Sequence, residues 1–586
     1  MGVNARRRVI ADDLVTEMRT IAAQHRFFHW EIGFPNVWSN LLSTQPAGGF
    51  DAVIGNPPYV RQELLGETKP ALKKAYRAYD GMADIYVYFY EQGLRLLRPG
   101  GRMSYVVTNK WLKAGYAEAL RDLFTDPARA KLEFVADFGH AKHFFPDADV
   151  FPSVVVVRKP VLSAAFPVSD AGNTPAPTAQ ICVIPRDLVP EKGLSAAVAE
   201  ASYPLPLALF SKESWTLEPP AVIALLEKIR RNGVPMAEYA GVKPYRGVLT
   251  GFNEAFLINT ATRDQLVRDD PKCADIIKPY LRGQDIERWS ASWDGLWMIF
   301  ARRGIDISKF PSIKQHLECY RPQLEPKPVN WKPTIPGEEW PGRKDGSYKW
   351  FEIQDSIEYY LEFEKHKIIY QEIQYSPLYA YDSTGLFGNN KTFLIAKRDQ
   401  YLLAALNSPL MWWHNWRYLP HMKDEALTPV GVKMESLPIA QVNYDCAATA
   451  EDYVAQILTL MPKKREPATA LMDWLRVEFG LDRPGRQLAE AHRLDADAFV
   501  AVVRAALPKR QKLSAADVAR LRGEWIDTVA PARAAADEIL ALERRLADLV
   551  NAAYGLSPDE VKLMWQTAPP RMPLNPSEEL RRLGLQ

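Results

Sequence analysis

Between Phe50 and about Lys159, short apolar runs alternate with longer amphipathic stretches. Ala52 to Ile54, Met103 to Val107 and Val154 to Val157 read as strands, and the segment around Ile85 to Leu97 reads as a helix; together they predict an α/β sheet. A loose Ala/Pro/Ser/Thr stretch from Ser163 to about Gln180 predicts a linker or surface excursion. After Trp215-Thr216-Leu217-Glu218-Pro219-Pro220, the run from Ala221 to Arg231 places Val222, Leu225, Leu226 and Ile229 on one helical face and opens a second domain. Trp412, Trp413 and Trp416 fall in a predicted helix after Leu402 to Leu406 and read as packing residues, not a stacking platform. Past about Pro438 the pattern turns helical, with Ala450 to Leu460, Ala468 to Phe479 and an amphipathic run from Ala534 to Ala553. Ser557-Pro558-Asp559-Glu560 supplies an N-cap, a proline at the first helical position and the acid of a capping box. Leu542, Leu546 and Leu549 repeat at helical spacing without a sustained heptad, which points to packing and not to a zipper.

Composition narrows the class. The 586 residues, 47% of them hydrophobic, are enough for two or three cores. A net charge of +2 means that any nucleic-acid surface is a local basic face balanced by acids elsewhere. Cys182, Cys273, Cys319 and Cys446 lie far apart, which argues against a zinc ribbon or a disulfide framework and fits a reducing cytoplasm. The start, Met1 to Arg8, leads into no long apolar segment, and no membrane association is expected. His140 and His143 have no companion carboxylate or cysteine cluster, so no metal is expected.

The candidate chemistry sits at the end of the first strand, in Phe50-Asp51-Ala52-Val53-Ile54-Gly55-Asn56-Pro57-Pro58-Tyr59. The exocyclic nitrogen of adenine is conjugated with its ring and is a poor nucleophile. Acceptors that take its two hydrogens favour a tetrahedral nitrogen with an available lone pair. The Asn56 side-chain oxygen and the Pro57 carbonyl are suited to that task. Pro57 and Pro58 stiffen the loop, and Tyr59 offers a π face to an extruded base.

This tetrad resembles motif IV of the amino-methyltransferases, and the stretches after it are similar to the adenine-N6 DNA methyltransferases of restriction-modification systems. Asp84-Ile85-Tyr86-Val87-Tyr88-Phe89 looks like their motif V, and Leu96 to Asn109 looks like their motif VI. Val135-Ala136-Asp137-Phe138-Gly139, Phe144-Phe145-Pro146 and Ser153 to Val157 resemble the motif VIII region, where Phe145 matches the base-contacting aromatic. Lys243 to Phe256, Ile276 to Ile286, Lys367 to Glu372, Asn389 to Thr392 and Leu402 to Ser408 resemble the target-recognition domain of the Taq-type, or type IIG-like, methylases.

The resemblance implies a Rossmann-like methyltransferase sheet within 1–160, a linker or insertion over 161–205, a mixed α+β target-recognition domain over 206–440 and a helical region over 441–586. It implies S-adenosylmethionine as donor, double-stranded DNA as partner, a base-flipping direct transfer and a place in restriction-modification or phage defence. Asn56, Pro57, Pro58 and Tyr59 form the target-amine pocket, Phe145 stacks on the base, and Asp84 is a candidate near the cofactor, with an N-cap as its plain alternative. Arg246, Asn253, Arg282, Gln284, Asn390 and Lys391 are candidates for phosphate or base-edge contacts.

One part of the family pattern is absent. His29 to Pro35 resembles the segment just before motif IV, yet no Gly-rich motif I loop precedes the tetrad or follows it. The sheet is therefore expected to be incomplete at its N-terminal side, with an upstream methyltransferase or nuclease polypeptide as a candidate partner. Two other readings stay open: a noncatalytic DNA-specificity subunit, and a glutamine-N5 or RNA N-methyltransferase, since those families also use Asn-Pro-Pro-Tyr.

Overall fold

The computed structural model describes residues 15–23, 28–38, 48–139, 151–161, 176–184, 193–335, 337–422, 425–482, 485–508 and 511–585. The chain divides into two units, Met1–Pro220 and Ala221–Gln586.

The first unit is built on a six-stranded sheet of β1 (Phe50–Gly55), β2 (Leu97–Thr108), β3 (Lys131–Asp137), β4 (Pro152–Arg158), β5 (Thr178–Val183) and β6 (Ser202–Pro206), in the order β1-β2-β4-β3-β5-β6. β1 runs parallel to β2 and β3 runs parallel to β5, while β4 is antiparallel to both β2 and β3. The period-2 pattern of each strand decides what it buries. Met103, Tyr105, Val107, Val155 and Val157 are buried on one face. The helix Tyr86–Leu96 packs there through Tyr90, whose ring lies 5.4 Å from that of Tyr105. Glycine at position 93 leaves room for this packing, since a Cβ would come 2.5 Å from the Met103 sulfur and force that side chain to shift.

On the opposite face, cover comes at the β5 side from the helix Leu194–Ala201, which packs Val198 and Ala201 against Ala136 and Cys182. Toward β1 that face opens out. Val106, Val154 and Val156 are half-buried, and Ile54 is 82% exposed. β1 pairs only with β2 among the described strands, so one of its edges is unpaired. A parallel strand of this apolar composition is normally covered on both faces.

The segment 161–205, expected as a linker or insertion, contributes β5 and much of β6 to the sheet. Thr178-Ala179-Gln180-Ile181-Cys182-Val183 is a short strand hidden behind a Pro/Ser/Thr-rich approach, and its pairing with distant β3 settles its state.

Among its described residues the second unit carries ten short strands: β7 (Gly233–Pro235), β8 (Tyr245–Arg246), β9 (Leu257–Asn259), β10 (Ile277–Leu281), β11 (Leu296–Ile299), β12 (Lys367–Gln371), β13 (Tyr379–Asp382), β14 (Phe387–Gly388), β15 (Thr392–Ile395) and β16 (Pro438–Ala440). They form sheets ordered β14-β10-β11-β9, β13-β12-β15-β8 and β16-β7. Trp412 and Trp413 are buried in the helix Pro409–Tyr418 and donate to the Pro570 carbonyl (3.1 Å) and to Thr567 (3.0 Å), so they pack as expected. Leu542 and Leu546 of the helix Ala530–Ala553 are buried in the same core, with Leu549 half-buried against it. The Ser557 capping box forms, with its hydroxyl on the Glu560 amide at 3.3 Å.

The two helices expected over Ala450 to Leu460 and Ala468 to Phe479 are one helix, Tyr444–Phe479, running through Pro462 and Pro467. Each proline removes a backbone donor. Burial of Val454, Ile457 and Met461 on one side and of Leu471, Leu475 and Phe479 on the other outweighs that loss. The latter three belong to a separate small core formed by residues 471–529.

Candidate active site and nucleic-acid interface

Because β1 and β2 are parallel, their carboxyl ends lie at one edge of the sheet, where open α/β folds place their ligands. Asn56-Pro57-Pro58-Tyr59 leaves β1 at that edge. Pro57 is buried and anchors the turn, while Asn56 and Pro58 are exposed and Tyr59 is 41% exposed. Partial burial pushes the Tyr59 phenol up, so it stays neutral and presents an uncharged ring.

The residues just after the tetrad are tied down. The Ile85 amide donates to the Val60 carbonyl at 3.0 Å, and the Asp84 carboxylate accepts from the Gln62 amide at 3.0 Å. Lys69 closes the same strap, reaching the Gln62 side chain at 2.6 Å and the Gly81 carbonyl at 2.8 Å. Asp84 does not cap the helix Tyr86–Leu96; Ile85 holds that position without a side-chain cap. Its carboxylate is a brace for the loop that carries the tetrad.

A second brace was not foreseen from sequence. Asn109 ends the run similar to motif VI, and Asp137 lies in the stretch similar to motif VIII. The structure joins them: the Asn109 amide group donates to Asp137 at 2.9 Å, and Asp137 also accepts from the Gly139 amide at 2.9 Å. Burial pushes the Asp137 carboxyl up, against the pull of these two hydrogen bonds. The Asn109 backbone amide holds the Phe151 carbonyl at 2.6 Å. Gly139 and Phe151, which flank the segment carrying Phe145, are thus fixed at the same edge as the tetrad. Phe145 itself, with Phe144, His140 and His143, lies outside the described residues. Among the described residues, no group of His, Cys, Asp or Glu is placed to hold a metal ion, and no helix is long and apolar enough to cross a membrane.

In the second unit, Arg246, Asn390 and Lys391 meet although 144 residues separate the first two. The Arg246 Nε donates to the Asn390 carbonyl at 2.7 Å. Gly247 permits this approach, since a Cβ there would lie 2.0 Å from the Asn389 carbonyl. Val248 pairs with Asn389, and the Asn389 amide donates to the Leu281 carbonyl at 3.2 Å, which brings the Arg282-Gly283-Gln284 turn alongside. Lys391 pairs with Glu372 at 2.8 Å. Arg282 is committed to Asp285 through two contacts of 3.0 Å, which raise its pKa and leave less of it for a ligand. Gln284 is exposed. Asn253 starts the short helix Asn253–Phe256 and accepts from the Thr250 hydroxyl at 2.7 Å, one turn away from the cluster.

Comparison with known proteins gives family matches in both units. Residues 4–145 match the Eco57I restriction-modification methylase family, residues 278–439 match the TaqI-like C-terminal specificity domain, and residues 445–550 match a domain family of unknown function, DUF8810. The chain is 29% identical over 312 residues to the type II methyltransferase M.PaeR7I of Pseudomonas aeruginosa, covering 49% of this chain and 50% of that one. It is 27% identical over 374 residues to the type II methyltransferase M.XhoI of Xanthomonas vasicola, covering 62% of each. The chain thus spans between half and two thirds of the length of these relatives. The chain also matches a solved structure of the type IIL restriction-modification enzyme MmeI in complex with DNA over 89% of this chain and 57% of that one, at 14% identity and a TM-score of 0.45.

Proposed function

We propose that this chain, which joins a restriction-modification methylase region to a TaqI-like specificity domain, is the target-binding part of a site-specific DNA adenine-N6 methyltransferase. One observation carries the reading: an exposed, proline-stiffened Asn-Pro-Pro-Tyr turn at the carboxyl end of a parallel strand pair, braced from behind by Asp84. In this reading the duplex yields one adenine to the turn. The Asn56 side-chain oxygen and the Pro57 carbonyl accept its amino hydrogens and localise the nitrogen lone pair, and Tyr59 stacks on the ring, with Phe145 as second aromatic. The amine loses its proton after transfer, so no general base precedes attack. Arg246, Gln284, Asn390 and Lys391 contact phosphates or base edges, with Asn253 and Arg282 at the margin of that surface.

The donor is S-adenosylmethionine. The described residues present no glycine-rich turn from strand to helix beside β1, and so do not by themselves form its binding site. The unpaired edge of β1 and the open face around Ile54 are where an upstream methyltransferase polypeptide completes the sheet. The same open edge favours a second reading, a noncatalytic DNA-specificity subunit that keeps the amine pocket.

A transfer assay on the intact native enzyme, with labelled S-adenosylmethionine and DNA, RNA or protein as acceptor, tests the proposal. Label is expected in N6-methyladenine, and Asn56→Ala is expected to abolish it while most DNA binding remains. Label in RNA or glutamine, or turnover retained by the variant, refutes it. The same variant separates the two readings in the intact enzyme, because a pure specificity subunit supports transfer unchanged with Asn56→Ala.

A further inference from the structure

The helix Arg321–Leu324 is followed by a long excursion that regains the body of the second unit at Glu352, with no helix and only an isolated bridge among its described residues. Its tip is unusual for a surface loop: Val329 is 93% exposed and Ile335 is 66% exposed. Lys332, Lys344 and Lys349 are exposed around it. Trp331 and Trp340 pack edge to face at 5.8 Å, with the Lys327 ammonium 4.6 Å from the Trp331 ring. Of the loop's acids, Glu338 is turned back onto Thr334, accepting from its hydroxyl at 2.6 Å; Glu339 and Asp345 are exposed.

The base of this loop is wired far more firmly than its tip requires. Arg343 is 4% exposed and donates to five carbonyls, those of Leu324 (2.8 Å), Thr250 (3.0 Å), Glu352 (2.7 Å), Lys349 (3.2 Å) and Trp350 (2.9 Å). The Lys327 amide donates to the Arg343 carbonyl and the Arg343 amide to the Glu325 carbonyl, each at 3.0 Å. Gly342 is required there, since a Cβ would come 2.2 Å from the Glu325 carbonyl. Arg343 also fixes direction. Through Thr250 it joins the loop to the turn between Arg246 and Asn253, which is itself bridged to Asn389. One hydrogen-bonded framework therefore carries both the Arg246-Asn390-Lys391 cluster and this loop.

We infer that residues 326–335 and 337–350 form a DNA-contacting finger, with Lys332, Lys344 and Lys349 on backbone phosphates and the apolar tip of Val329 and Ile335 entering a groove. The inference rests on the proposed reading of the second unit as a DNA-recognition surface, with which the finger is continuous. A duplex suits the chemistry: lysines give sequence-independent phosphate contacts, apolar side chains serve as wedges between base steps, and a preorganised base avoids an ordering cost on binding.

The test is the salt dependence of duplex binding by the full chain, wild type against Lys332→Ala/Lys344→Ala/Lys349→Ala. Three lost phosphate contacts are expected to make the slope of log K against log salt shallower by about 2.7, at about 0.9 per contact. The exposed pair Arg504→Ala/Lys512→Ala in the helical region is expected to leave the slope unchanged. A wild type that binds DNA with the same slope as the triple variant overturns the finger alone. A wild type that binds no duplex overturns both the finger and the reading beneath it.

Discussion

Replacing Arg343 with methionine keeps much of the side-chain volume and deletes all five carbonyl contacts of the guanidinium. Leu324, Thr250 and Glu352 are buried residues. The Thr250 carbonyl keeps a second donor, the Gln354 amide at 3.2 Å, so the Leu324 and Glu352 carbonyls bear most of the loss. A buried acceptor left unpaired costs about 1–3 kcal/mol, giving about 2–6 kcal/mol for the pair. Burial has pushed the Arg343 guanidinium down to about 10, so the wild-type fold already bears a desolvation cost that the variant avoids, and about 3 kcal/mol of local destabilisation is the central expectation. Native-state hydrogen exchange reads this directly. The amides of Lys327, Arg343 and Ile353, each bonded to a backbone carbonyl at the loop base, are expected to exchange roughly 100-fold faster. Exchange within about fivefold of wild type, or about 1 kcal/mol, refutes the assignment of Arg343 as the anchor.

Other residues yield further tests. His414 is buried with its pKa pushed down to about 4, first by burial, so it is neutral in the fold. An unfolded chain takes up the proton near pH 6.5, so its contribution is intact above that value and is lost as pH falls toward 4, by about 3 kcal/mol in all. His414→Gln is expected to flatten the pH 4–6.5 limb of a stability profile, and an unchanged limb contradicts the reasoning. Asp84→Ala removes a charge-assisted bond of about 1.5–3 kcal/mol and is expected to speed exchange of the Gln62 amide by roughly 10- to 100-fold, with DNA binding kept; unaltered protection there shows that Asp84 is no brace. Gly247→Ala forces the Arg246 and Asn389 backbones apart and is expected to cost about 1–3 kcal/mol and to weaken sequence-selective DNA binding; a variant with wild-type stability and selectivity argues against the close approach.

The α/β pattern of the first unit was legible because its signals are local. Ala52 to Ile54 lies inside β1, Ile85 to Leu97 overlaps the helix Tyr86–Leu96, and Val154 to Val157 lies inside β4. The place of the tetrad at the end of a strand was legible because the apolar run and the two prolines after it are consecutive signals. What stayed hidden depends on distant partners. Arg246 meets Asn390 only through the register of β15 on β8, and Asn109 meets Asp137 only because β2 and β3 flank β4. Arg343 reads in sequence as one more basic surface residue, since a lone arginine gives no sign that five carbonyls will converge on it. The helix through Pro462 and Pro467 was broken by local propensity and mended by burial on both sides.

The claim on which the rest depends is that Asn56 to Tyr59 receives an adenine swung out of duplex DNA. Duplexes selected from a random pool by the full chain, with each adenine of the selected site replaced in turn by fluorescent 2-aminopurine, test it without requiring the methyl donor. Fluorescence is expected to rise at a single position on binding, and to rise further with Tyr59→Ala, which removes the ring stacked on the extruded base. Bound duplexes that stay dark at every position, or a signal indifferent to Tyr59, would contradict it.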